Sequence, residues 1–279
     1  MNNYLVVSNS EKDPQGEVSN MIREFLEGKG CTVRLESVTH DNVRKEALNA
    51  AADTGAECVL VLGGDGTLIQ VAGALAKKDI PLLGINLGTL GYLAEIEREQ
   101  IIPTLERLIK DDYAVEERMM LSASAGGDKR EALNDIVITR FGDLRVVRYM
   151  VYVNGRCLST YDADGIIIST PTGSTGYNMS AGGPIVEPCA NLILMTPICP
   201  HTLNTRAVVL SSDDEISIEV CKSKYSREYE ARVSCDGAAS IKLPAGERVD
   251  IKRSTGVTKV IKMSREGFLD VLSRKLRAN

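Results

Sequence analysis

An α/β domain followed by an all-β domain is the fold class this 279-residue sequence predicts. Three observations carry that expectation. Strand and helix patterns alternate over residues 1–115, the order that builds a parallel sheet. Beyond residue 115, short runs rich in Val, Ile and Thr follow one another between turn residues, as in an all-β domain. A chain of 279 residues that is 43% hydrophobic is also long enough for two medium cores.

Taken in order, Tyr4 to Val7 reads as a strand, and Val18, Met21, Ile22, Phe25 and Leu26 share one helical face that Gly28 and Gly30 end. A strand over Cys31 to Val38 and a helix from about Asp41 to Ala52 follow. The apolar run Val59 to Leu62 suits a strand covered on both faces, and Leu68, Val71, Ala72 and Leu75 recur at helical spacing. After Ile80 to Ile85, a helix turns Ile101, Ile102, Leu105, Leu108 and Ile109 inward. The β runs are Met119 to Ser124, Glu131 to Thr139, Leu144 to Val153, Arg156 to Tyr161, Gly165 to Ser169, Asn191 to Thr196, Arg206 to Leu210, Glu215 to Val220, Ala231 to Cys235 and Arg248 to Lys252. The expected domains are 1–115 and 116–263, with an amphipathic helix at about 264–279 packing back on the first.

The net charge of −5 leaves no basic stripe of the kind a nucleic-acid binder carries, so phosphate recognition must be local. Three Phe, nine Tyr and no Trp supply few platforms for stacking bases. A small-molecule ligand is the expectation. Seven scattered cysteines without a C-x-x-C pair suggest neither a disulfide framework nor a zinc site, and two histidines, His40 and His201, cannot build a His-based metal cage. The amino terminus lacks a basic segment followed by a long apolar stretch, and no run is long enough to span a bilayer, so a cytoplasmic protein without a membrane partner is expected.

The feature richest in chemistry is Gly63-Gly64-Asp65-Gly66-Thr67, a glycine-rich turn between a buried strand and a helix. Its glycines are expected to allow positive φ and close backbone approach, so that N–H groups face phosphate oxygens. A carboxylate in such a nest would repel phosphates unless a metal or a reacting hydroxyl lies between them, although Asp65 as a simple helix cap is the bland alternative. A second glycine turn, Asn86 to Tyr92, falls at the carboxyl end of the next strand and should face the same cleft.

Three further stretches qualify. Asp164 to Tyr177 delivers a cluster of hydroxyls and glycines suited to a sugar or nucleotide, with Tyr177 able to stack on a base, and reads equally as a Ser/Thr-rich surface loop. Asn134-Asp135 can bind an adenine edge and a ribose diol, or cap a strand. Asp162 and Asp164 share a strand face at the spacing of a metal pair, a weak signal, and Asp236-Gly237 reads as a hairpin turn or as an acid beside a cleft. No G-x-x-x-x-G-K-[ST] or G-x-G-x-x-G occurs, which argues against a P-loop NTPase and a nicotinamide dehydrogenase.

Together, Gly63 to Thr67, Gly84 to Leu93, Asn134-Asp135, Ser169 to Tyr177 and Ser180 to Pro184 resemble the NAD kinases in order and spacing. The diglycine-Asp-Gly turn alone is shared with diacylglycerol and sphingosine kinases and 6-phosphofructokinase; the Ser169 to Pro184 block is far more specific. The resemblance implies a Rossmann-like parallel-sheet domain, then a larger β-sandwich-like domain. It also implies transfer of the γ-phosphoryl group of ATP to the 2′-hydroxyl of the adenosine ribose of NAD, with Mg²⁺ or Mn²⁺ accompanying ATP. NAD is then a substrate. Asp65 would be the general base and Gly66 would lie against the dinucleotide. Asn134 and Asp135 would hold the adenosine half, and Asp164 would touch the ligand. Thr175, Gly176, Tyr177 and Ser180 would line the adenine pocket, and Arg145, Asp162 and Asn178 would be further NAD contacts. Gly63, Gly64, Gly66, Thr67 and Asn86 would form the phosphate turn. Arg145 and Asp162 stand where some bacterial members carry His and Arg, Ala238 where those carry Gln, and Gly176 where Ala is common. Members are typically homo-oligomers, dimers or tetramers.

Overall fold

A computed structural model describes residues 1–88, 91–142, 146–202, 206–222, 230–238, 240–264 and 267–277. In chain order the elements are β1 (Asn3–Asn9), α1 (Glu17–Gly28), β2 (Thr32–Val38), α2 (Val43–Thr54), β3 (Cys58–Gly63), α3 (Asp65–Leu75), β4 (Leu82–Asn86), α4 (Ile101–Ile109), β5 (Ala114–Ala125), β6 (Asp128–Ala132), β7 (Asp135–Phe141), β8 (Val147–Val153), β9 (Arg156–Ala163) and β10 (Gly165–Ser169). There follow α5 (Tyr177–Ser180), β11 (Leu192–Ile198), β12 (Val208–Ser211), β13 (Ile216–Val220), β14 (Glu230–Cys235), β15 (Ile241–Pro244), β16 (Arg248–Lys262) and α6 (Phe268–Arg277). Two compact units result: Met1–Arg118 with Val257–Asn279, and Met119–Gly256.

The first unit holds a parallel sheet in the order β2-β1-β3-β4, with Val260 of β16 beside Leu82. All six residues of β3 are buried, as its apolar run requires of a central strand covered on both faces. On one face Tyr4, Val6, Leu60 and Leu62 meet Val18, Ile22 and Leu26 of α1 and Ile101, Leu105 and Leu108 of α4. Those helical residues recur at i, i+3 and i+4, so each helix buries one stripe. Gly63 pairs with Asn86 in the β3/β4 register, which sets the two glycine turns side by side at the carboxyl edge of the sheet.

The second unit is two antiparallel sheets around one core. One runs β12-β11-β10-β7-β14-β15; β8, β9 and β13 pair in the other. Ile136, Ile138, Ile166, Ile168 and Val233 from the first meet Tyr149, Val151, Ile216 and Ile218 from the second, as period-2 alternation predicts for inward faces. The opposite face of the six-stranded sheet presents Val137, Ile167 and Ile198, against which Ala181 packs.

Among the elements that differ from the sequence reading are β5, which starts at Ala114 rather than Met119, and four others. One strand was expected over Glu131 to Thr139, and two form, because Leu133 and Asn134 leave the ladder to donate their N–H groups to Asp236. The strand expected to end at Lys252 continues to Lys262, because Val260 and Ile261 are buried in the first unit. β12 lies at Val208–Ser211 rather than from Arg206, and β15, a four-residue strand containing Lys242 and Pro244, had no sequence signal.

Candidate active site

In the first unit, Asp65 is the first residue of α3, directly after the strand-to-helix elbow. Its half-buried carboxylate reaches across to the second glycine turn: Oδ2 accepts from the Tyr92 N–H at 2.7 Å, and Oδ1 from those of Leu93 at 3.1 Å and Ala94 at 2.9 Å. A carboxylate offers about four lone-pair directions, and three are used here. Burial, and then the Asp65 charge, push the Tyr92 hydroxyl above its ordinary range.

Gly63 and Gly91 work by lacking a Cβ, whereas one on Gly64 or Gly66 would meet nothing within 4 Å. Positive φ was expected at Gly63, Gly64 and Gly66, yet all three lie outside the left-handed region. A Cβ on Gly63 would stand 2.6 Å from the Thr67 hydroxyl oxygen, and one on Gly91 would collide with the Asp65 carboxylate. The Thr67 hydroxyl accepts from the Asn9 amide at 3.2 Å, and Gly63 O accepts from Leu87 N at 3.0 Å. Asn86 is buried, and its Oδ1 accepts from Gly88 N at 2.9 Å, closing an Asx turn. A cleft of about 260 Å³ beside this turn is lined by Lys12, Asn86, Gly88 and Arg98 and by the carboxylates Glu97 and Glu99.

In the second unit the organising group is another carboxylate. Asp236, at φ 53°, accepts from Leu133 N at 2.7 Å, Asn134 N at 2.8 Å and Asp135 N at 3.1 Å, and its own N–H returns to Asp135 O at 3.0 Å. Burial, and then the Asp236 charge, raise the Asp135 carboxyl to about 7. Thr170 donates its N–H to Asn134 O at 2.9 Å and its hydroxyl to Leu133 O at 2.6 Å, so the 170–176 turn sits directly on Asn134. Buried polar groups are normally paired. Asn134 Oδ1 and Thr172 Oγ1 are buried without a hydrogen-bond partner.

The predicted residues divide accordingly. Asn134 and Asp135 come together with Gly176, whose Cβ position lies 3.5 Å from the Asn134 amide nitrogen and 3.9 Å from Asp135 Oδ2. Thr175 is half-buried, and Tyr177 and Ser180 are exposed. Asn178 is fully buried and spent on the protein: its amide donates to Ser174 O at 3.2 Å and Pro184 O at 3.0 Å and accepts from the Thr196 hydroxyl at 2.7 Å. Asp162 and Asp164 do not act as a pair. Asp162 makes a bidentate bridge to Arg148 at 2.8 Å, which holds it below its ordinary range, and Asp164 pairs with Arg140 at 2.9 Å. Arg145 lies outside the described residues. Among the described residues no group of three or more His, Cys, Asp or Glu converges as a metal site would require, and no helix is long and apolar enough to cross a membrane.

Two family models match this chain: the ATP-NAD kinase N-terminal domain over residues 5–113 and the ATP-NAD kinase C-terminal domain over residues 133–263. The chain belongs to the NAD kinase family. Curated NAD kinases of Lachnospira eligens and Agathobacter rectalis are 42% and 43% identical to it. The alignments cover 99% of this chain in each case, with 100% and 99% of those proteins. Among solved structures, an NAD kinase from Archaeoglobus fulgidus in complex with ATP superposes with TM-score 0.79 at 25% identity, covering 99% of each chain. Yeast NADH kinase complexed with NADH gives TM-score 0.80 at 21% identity over all of this chain and 88% of that one, a likeness of fold. The family is one of enzymes, and the α/β unit followed by the β-sandwich unit is the fold its solved members share.

Asp236, Arg140 and Glu95 are the residues that sequence reasoning undervalued. The sequence offers Asp236 as a hairpin turn or an acid near a cleft, and its one legible signal is an acid directly after a buried strand. Glu95 carried none, since its partners Lys262, Met263 and Ser264 lie far along the chain.

Proposed function

We propose that this chain transfers the γ-phosphoryl group of ATP to the 2′-hydroxyl of the adenosine ribose of NAD, giving NADP and ADP, with Asp65 as general base. The observation that carries the reading is the Asp65 carboxylate, fixed by three backbone N–H groups at the carboxyl edge of the sheet with lone-pair capacity to spare. A ribose hydroxyl is a poor nucleophile near neutral pH. A positioned carboxylate that accepts its proton as the new O–P bond forms and the β–γ bridge breaks is worth about 10²–10⁴-fold. Family membership supplies the substrates, and the likeness to the ATP-bound archaeal relative supports ATP as donor.

The turn residues Gly63, Gly64, Gly66, Thr67 and Asn86 are assigned to the donor phosphates. There the missing side chains admit close approach, and alignment with charge neutralisation does most of the catalytic work. The divalent cation, Mg²⁺ or Mn²⁺, enters with ATP as part of the substrate and neutralises its phosphate charge. Asn134 and Asp135 are assigned to the adenosine half. The unpartnered Asn134 and Thr172 oxygens await ligand donors, and an Asp135 carboxyl that titrates near neutrality can donate or accept toward a ribose diol. Asp162 and Asp164 reach a ligand only together with their arginines, and Asn178 acts by shaping the 172–184 loop. From the family likeness we also assign a cytoplasmic homo-oligomer, dimer or tetramer, which sedimentation will measure.

The test is NADP formation by purified protein given ATP, Mg²⁺ and NAD, against parallel assays with NADH, a diacylglycerol and fructose 6-phosphate. Asp65→Asn should keep NAD affinity while turnover falls by about 10²–10⁴. Wild-type turnover in that variant removes the base assignment.

A further inference from the structure

The Asp65 carboxylate owes its position to the 91–95 turn, and that turn is held from outside the sheet by the carboxyl-terminal segment. Glu95 accepts from Met263 N at 3.0 Å and Ser264 N at 3.4 Å and pairs with Lys262. Arg107 of α4 donates to Met263 O at 2.9 Å, so the end of β16 is pinned from two sides. Beyond it α6 returns, and Lys275 Nζ stands 3.9 Å from the centroid of the Tyr92 ring. The backbone N–H of Tyr92 is itself a donor to Asp65.

α6 is only half-buried. None of its residues whose side chains are described is buried, and Leu269 is 71% exposed. A groove of about 490 Å³ lined by Tyr92, Glu95, Thr104, Met263 and Val271 lies along it. The contact described between α6 and the turn is that of Lys275 with the Tyr92 ring.

We infer that the carboxyl-terminal segment, the end of β16 together with α6, is a positioning element for Asp65: Lys275, through the Tyr92 ring, and Glu95, through residues 262–264, hold the 91–95 turn so that its N–H groups fix the carboxylate. Lys275 is thus a positioning residue, acting through Tyr92 and touching no substrate. The inference rests on the assignment of Asp65 as base.

The experiment compares full-length wild type with Lys275→Ala, Lys275→Arg and Glu95→Gln by site-resolved amide hydrogen exchange and steady-state kinetics. In Lys275→Ala, exchange at Tyr92, Leu93 and Ala94 should quicken about 2- to 5-fold, and kcat should fall by a similar factor with both KM values and the melting temperature held. Lys275→Arg, which keeps a cation over the ring, should restore exchange and kcat, and Glu95→Gln should show the larger change. Unchanged exchange at 92–94 in either Lys275→Ala or Glu95→Gln overturns the inference, as does faster exchange with unaltered kcat. A wild-type protein that makes no NADP counts instead against the assigned reaction, and exchange still reads the coupling.

Discussion

The Asp65 carboxylate occupies the space that a Cβ on Gly91 would fill. Two glycine turns that follow neighbouring parallel strands are thereby locked to each other, the carboxylate of one inserted into the backbone of the other. The acid has a structural task as well as its assigned chemical one.

Gly91→Ala should therefore expel the carboxylate and lower kcat by at least about 10²-fold, the loss expected when a general base is misplaced. Gly176→Ala is the control. Its Cβ would stand 3.3 Å from Gly173 O, a tight contact that a shift of a few tenths of an ångström relieves, and would not touch Asp65, so kcat should fall far less than in Gly91→Ala. Rates of NADP formation by the two variants decide the matter, and equal rates would sink the steric argument.

Asp135 makes stability depend on pH. Its carboxyl is raised from 3.8 to about 7 by burial and then by Asp236, so the folded state disfavours the ionised form. The associated stability is fully present below about pH 3.8 and is lost as pH rises to about 7. The full span is on the order of 4 kcal/mol. Asp135→Asn removes this titration. In urea melts between pH 5 and 8, wild type should lose stability relative to the variant as pH rises; parallel curves would contradict the assignment.

Asn178→Ala should destabilise the loop over the six-stranded sheet. The amide is buried with three partners, and each group left unpaired costs about 1–3 kcal/mol. Several degrees should be lost from the melting temperature, with KM for NAD raised. Gly183→Ala should act similarly, because its Cβ would strike the same amide. Calorimetry that shows no change in either variant would count against this role.

Chelation should separate substrate metal from structural metal. With no acidic or His/Cys cluster among the described residues, EDTA should stop turnover and leave the melting temperature unchanged. A fall in melting temperature would reveal a resident ion.

What the sequence determined by itself was everything carried by local periodicity and local composition. The buried run into Gly63-Gly64-Asp65-Gly66-Thr67, the βα alternation and the switch to short β-rich runs are patterns of near neighbours, and the Ser169 to Pro184 block is a contiguous signature. Only the tertiary structure decided which backbone each carboxylate would meet. Asp65 found the amides of residues 92–94, Asp236 found those of 133–135 and thereby split a strand that read as continuous, and Asp162 and Asp164 each found a separate arginine. The physical reason is that a carboxylate's partners are fixed by which strand ends the sheet register brings side by side, and register is a property of the assembled sheet.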